Sequence, residues 1–264
     1  MKKTLYWIIA IVITLVLSVY QRMTGPTHPK KITVEVNGEQ YKLKLPRSGV
    51  REDQIVKLTD IPQAGVQAQL HYLRYPSHDD YTTVDFTWQD GTWQAALPVQ
   101  PIAGKLMYYI TVNGKDYEPS VIRFRNDVPA YILVPHILFM FGAMLFAVYT
   151  LLLAVSKMKY KLWLRITMYT LLVGGFILGP LVQHEAFGPL WTGFPFGTDL
   201  TDNKTLIAFH FFVAALLTIK WKYNRWVVVL AVLMMIAIFT IPHSTNGSEY
   251  DYEKQELSTE KKLN

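Results

Sequence analysis

Residues 155–165 read VSKMKYKLWLR. Four basic side chains, Lys157, Lys159, Lys161 and Arg165, stand there without one acid between them, and apolar runs flank the stretch on both sides. The same pattern returns at 220–225, KWKYNR, and in miniature at Lys2 and Lys3. Short basic connections between apolar segments stay in the cytosol during membrane insertion, so these three segments predict both the fold class and its orientation. A spanning helix needs roughly 20 apolar residues. Leu5–Tyr20, Tyr131–Ser156, Leu162–Val182, Thr205–Ile219 and Trp226–Ile241 fit that requirement, the last two being short. Trp221, Tyr223 and Trp226 are placed to hold the inner ends at the headgroup level.

The resulting map is a multi-pass protein of the cell (inner) membrane. The N-terminus is cytoplasmic, and 21–130, the 183–204 loop and the C-terminus are extracytoplasmic. Residues 1–22 form a transmembrane anchor or an uncleaved signal, because SVYQRMTG offers no small-x-small cleavage site. Residues 130–243 form a four-span bundle, and the charged tail 244–264 lacks apolar periodicity and reads as disordered.

Composition agrees with this division. The chain has 264 residues, 51% of them hydrophobic and none of them cysteine, which excludes disulfides and thiolate chemistry. The net charge of +6 does not indicate nucleic acid. Residues 21–130 hold thirteen basic against twelve acidic side chains, so the excess lies in the membrane flanks. Within 30–127, Asn37-Gly38, Asp90-Gly91 and Asn113-Gly114 are two-residue turn signals suited to positive φ. Alternating stripes such as Ile32, Val34, Val36 and Val84, Phe86, Trp88 flank them. The expectation is an extracytoplasmic immunoglobulin- or fibronectin-like β-sandwich. The whole is an α+β membrane protein: anchor helix, β-sandwich, then a transmembrane four-helix bundle.

Three stretches carry a family likeness: VPAYILVPHILFMFGAML, GGFILGPLVQHEAFGPLWTGFPFGTDLTDNKTLIA and IPHSTNGSEYDY. Residues 128–250 resemble a family of bacterial polytopic inner-membrane proteins with an extracytoplasmic β-sandwich and four following spans. The resemblance implies architecture and location, and no activity.

Four histidines sit in or beside the predicted spans. By a rise of 1.5 Å per residue, His136 stands roughly 30 Å above Lys157, His184 about 29 Å above Arg165 and His243 about 27 Å above Arg225. His210 is only about 15 Å above Lys220 by the same rise, near the bilayer midplane. An ionisable group at membrane depth is a functional candidate. One expectation is a transition-metal site at the outer mouth, from His136, His184 and His243 with Glu185. A second is b-type haem with His210 as an axial ligand. A third is that these are interface histidines satisfied by backbone, water or neighbouring helices.

FGPLWTGFPFGTDLTDNK at 187–204 is rich in chain-bending and aromatic residues. Asp199, Asp202 and Asn203 are expected to cap the following helix and order this loop. Gly175 and Gly179 have the small-xxx-small spacing of close helix contacts.

These residues leave two functional classes open. One is redox or metal handling at the outer end of the bundle. The other is a non-catalytic membrane binding or assembly component whose sandwich recognises another membrane or periplasmic protein. No HExxH string and no nucleophile motif is present, which leans against an enzyme.

Overall fold

Each of the three turn signals closes a hairpin in the computed structural model, which describes residues 2–242, 247 and 249–258. Asn37 and Gly38, Asp90 and Gly91, and Asn113 and Gly114 all have positive φ. They join Val36 to Glu39, Gln89 to Thr92 and Val112 to Lys115 across two-residue loops. Primed turns match the right-handed strand twist, so short local signals fix the register of these pairs.

The chain divides into two compact units. The β unit comprises Pro26–Asp127 and Ser248–Glu260. Its strands are β1 (Lys30–Val36), β2 (Glu39–Leu45), β3 (Ser48–Gly49), β4 (Gln54–Leu58), β5 (Ala68–Arg74), β6 (Thr82–Asp85), β7 (Thr87–Gln89), β8 (Thr92–Leu97), β9 (Lys105–Val112), β10 (Lys115–Asp116) and β11 (Ser120–Phe124). The larger sheet runs β3-β11-β9-β5-β6, with β10 added to β9, and a three-stranded sheet runs β4-β8-β7. Along β9 the burial alternates residue by residue: Leu106, Tyr108, Ile110 and Val112 are buried. They join Ile32, Val34 and Leu43 of the β1-β2 hairpin and Val56 and Leu97 of the smaller sheet in one apolar core. Each such side chain contributes about 1.5–3 kcal/mol when fully buried, which lets this unit hold together without disulfides.

The tail departs from expectation. Residues 249–258 are not disordered: β12 (Glu249–Asp251) and β13 (Glu256–Ser258) pair as a hairpin that groups with the β unit. Tyr252 Oη accepts from Lys105 N at 3.0 Å and lies 2.9 Å from the Lys105 carbonyl, to which it donates. Glu249 pairs with Lys105, and the Arg74 guanidinium sits over the Tyr252 ring at 5.3 Å. Gly104 permits this approach, since a Cβ there would lie 2.9 Å from Tyr252 Oη.

The helical unit contains α1 (Lys2–Thr24), α2 (Ala130–Val155), α3 (Lys161–Leu172), α4 (Gly179–Phe187), α5 (Leu200–Leu217) and α6 (Asn224–Thr240). Residues 173–178 are a π-helical segment that makes Lys161–Phe187 continuous. Among the described residues, four helices are long and apolar enough to cross a membrane: Lys2–Thr24, Ala130–Val155, Lys161–Phe187 and Leu200–Leu217; Asn224–Thr240 is a shorter apolar helix. The chain is thus an α+β protein fitted to a membrane. Leu5, Ile8, Val12, Leu15, Val16 and Val19 project outward from α1, an arrangement stable only where hydrocarbon replaces water.

Contacts at both ends of the helices fix their relative direction. Tyr6 Oη meets Ser156 Oγ at 2.6 Å, and Trp7 stacks on Tyr149 at 4.1 Å. Tyr160 donates to Asn224 at 2.9 Å. The three basic segments therefore share one end. At the other end Gln21 donates to the Phe239 carbonyl at 2.8 Å and Lys204 to the Ile241 carbonyl at 2.6 Å.

Candidate functional site

The loop between α4 and α5 is shorter than expected. Helix α4 runs on to Phe187, so only 188–199 lies outside regular structure, and His184 and Glu185 belong to a helix. Gly188, at φ 97°, ends α4. Asp199 then caps α5, accepting from Thr201 N at 2.7 Å and Asp202 N at 3.4 Å.

Asp202 is buried, although aspartate on an apolar helix is costly to bury. Its Oδ2 accepts from Thr192 N at 2.7 Å and Gly193 N at 3.1 Å. Gln183 completes the arrangement: with its amide nitrogen facing the carboxylate it donates to Asp202 Oδ1 at 3.0 Å, while its oxygen accepts from Thr192 Oγ1 at 2.6 Å. Asn203 Oδ1 accepts from Phe194 N at 2.7 Å. Gly193 is needed beside this helix, because a Cβ would come within 2.6 Å of Asp202 Cβ. Asp199, Asp202 and Asn203 of DLTDNK thus serve as cap, loop anchor and latch. Lys204 extends the series by donating to the carbonyls just beyond the C-terminus of α6, at 2.6 Å from Ile241 O and 3.2 Å from Pro242 O. Lysine at a helix C-terminus also complements the helix dipole. The sequence reading missed Gln183, Thr192 and Lys204. A lysine opening an apolar span was the available signal.

Among the described residues, His136, His184 and His210 each bond a different backbone carbonyl. His136 Nδ1 lies 2.9 Å from the Gly174 carbonyl. That oxygen also receives the Gly179 N–H across the π-helical turn. His184 Nδ1 bonds the Gly188 carbonyl. His210 is exposed on α5, with Nδ1 2.8 Å from the Leu206 carbonyl of its own helix. His243 lies outside the described residues. Among the described residues no three His, Cys, Asp or Glu side chains gather as a metal-binding group. Hence His136, His184 and Glu185 are not brought together as one ligand group. Helical rise gave the heights of these residues; it could not give their direction around each helix, which packing decides.

A cavity of about 270 Å³ opens beside His136, at the end of the bundle remote from the basic segments. Ser18 and Gln21 of α1 line it together with apolar side chains of α1, α2, α4 and α6. Helix α1 is therefore a wall of a cavity as well as an anchor.

The larger sheet of the β unit carries a different feature. On its outer side His71 stacks on Tyr109 at 4.6 Å, and Tyr81 meets Tyr109 edge-on at 5.1 Å. Both imidazole nitrogens of His71 are engaged, by Thr83 Oγ1 at 2.8 Å and Thr111 Oγ1 at 3.0 Å. Tyr81 is 42% exposed and Tyr75 37%, so this surface is aromatic and accessible within its unit.

Comparison with known proteins found no match: no family model, no curated protein and no solved structure is similar to this chain beyond chance. The likeness of residues 128–250 to a membrane-protein family therefore rests on the quoted motifs alone.

Proposed function

We propose that the chain is a five-span inner-membrane protein that displays a β-sandwich on the extracytoplasmic side, as a non-catalytic binding and assembly component. The β-unit core, shared between two sheets and the β1-β2 hairpin, supports the immunoglobulin- or fibronectin-like reading. Parity supports the topology. The chain leaves the β unit at Asp127, and its hairpin from Glu249 onward belongs to that unit again. Between those points run α2, the continuous 161–187 helix, α5 and α6, an even number of crossings when α6 spans as well. Both flanks then share one side, and α1 takes the N-terminus to the other. Basic residues at the shared end of the helices assign that end to the cytosol.

The observation that carries the binding role is the aromatic surface of His71 on β5, Tyr109 on β9 and Tyr81 just before β6. Aromatic side chains that are held in place and reachable provide much contact area at small entropic cost. Metal or haem handling has less support, because among the described residues no three His, Cys, Asp or Glu side chains gather as a metal-binding group.

A photoreactive amino acid at Tyr81, activated in intact cells, tests this role. The expected result is one discrete cross-linked species that disappears when Tyr109→Ala is added. No adduct, or stoichiometric metal or a Soret band in the purified protein, would overturn the reading.

A further inference from the structure

The cavity beside His136 has a chemistry that selects its ligand. Two of its three polar side chains have already committed their only donor. His136 Nδ1 faces a carbonyl oxygen, which only accepts, so the neutral ring carries its proton on Nδ1 and leaves Nε2 as a bare acceptor. Ser18 donates to the Thr14 carbonyl at 2.7 Å, leaving oxygen lone pairs. Gln21 gives one of its two amide N–H groups to the Phe239 carbonyl, which leaves Oε1 to accept and the second N–H to donate. All three line the same cavity. A ligand that bonds His136 and Ser18 must bring the hydrogen atoms, and the Gln21 amide accepts a hydroxyl group in either role.

The remaining walls specify the rest of the molecule. Met140, Met144, Phe141 and Phe239 line the cavity, and thioethers and phenyl rings pack well against an aromatic ring. At about 270 Å³ the space lies at the small end of ligand pockets, which run from roughly 300 Å³ upward, so it accepts a ring and not a whole lipid. Ile137 and Phe141 line the cavity and are exposed on α2, so its accessible rim is apolar, which favours a molecule already dissolved in the bilayer.

We propose that this cavity binds the phenolic head of a membrane amphiphile, a hydroquinone-type ring whose O–H groups donate to His136 Nε2 and Gln21 Oε1 while its aliphatic tail remains in the lipid. The π-helical turn belongs to the site: it presents the Gly174 carbonyl that holds the imidazole in the accepting tautomer. Segments of π-helix are frequent at functional sites for this kind of reason.

The test uses full-length protein in phosphatidylcholine nanodiscs, titrated with a decyl-tailed benzohydroquinone kept reduced. Its dimethyl ether, with both O–H groups capped, and 1-decanol serve as comparisons. Saturable binding of the hydroquinone is expected, with the ether and the alcohol weaker by roughly three- to tenfold or more, the value of one neutral hydrogen bond or two. His136→Ala should weaken the hydroquinone by a similar factor and leave the ether unchanged. Val182→Phe, which fills the cavity without touching a polar group, should abolish binding while helix content is retained. The proposal is overturned by equal affinity for hydroquinone and ether, by non-saturable uptake, or by binding that survives Val182→Phe.

Discussion

Asp202 shows how one buried charge orders a loop. Its carboxylate takes up backbone N–H groups of Thr192 and Gly193 that would otherwise lack partners beside an apolar helix. Removing the acceptor leaves buried donors unsatisfied, at about 1–3 kcal/mol. Asp202→Ala should therefore lower thermal stability in detergent by that amount and expose 188–199 to proteolysis. Asp199→Ala removes only the cap of α5 and should cost about 0.5–2 kcal/mol. If Asp202→Ala proves as mild as a surface substitution, the carboxylate does not anchor the loop. The capping role of Asp199 was legible from the DLTDN string. The partnership with Gln183 was not, because it joins side chains across two helices and no local pattern encodes it.

At the level of elements, the C-terminal hairpin has the clearest dependence on pH. Burial raises the Tyr252 phenol from 10.0 to about 12. In a detached hairpin that phenol ionises near its ordinary value, so the docked form holds its proton to higher pH. Docking is at full strength below pH 10 and weakens as pH rises through 12. Hydrogen exchange of residues 249–258 should accelerate over that window, and Tyr252→Phe should make it fast already at neutral pH. Unchanged protection in Tyr252→Phe would remove the phenol as the fastening group. Its strands are three residues each and mostly polar, with no alternation to betray them. They are held by partners about 147 positions away, as between Lys105 and Tyr252. By contrast, the two-residue turns were readable at once, since Asn-Gly and Asp-Gly encode positive φ by themselves. The π-helical segment escaped notice for the reason the hairpin did. Its glycines signalled close packing, and a Cβ on Gly175 would indeed meet Thr205 Cγ2 at 2.6 Å, but the wider turn follows from tertiary contacts.

For the whole molecule, the basic segments gathered at one end of the helices and the tail hairpin grouped with the β unit support the proposed arrangement in different ways. Charge proposes which end is cytosolic, and an even number of crossings requires only that the two flanks of the bundle share a side. Because the chain has no cysteine, single introduced thiols report sidedness without background. Labelling intact cells with a membrane-impermeant maleimide tests the arrangement most directly, with Ser77→Cys in the β unit, Glu256→Cys in the hairpin, and Lys159→Cys and Lys222→Cys in the basic turns. The account predicts that the first two are labelled in intact cells and the last two only after permeabilisation; labelling of Glu256→Cys together with Lys159→Cys, and apart from Ser77→Cys, would contradict it.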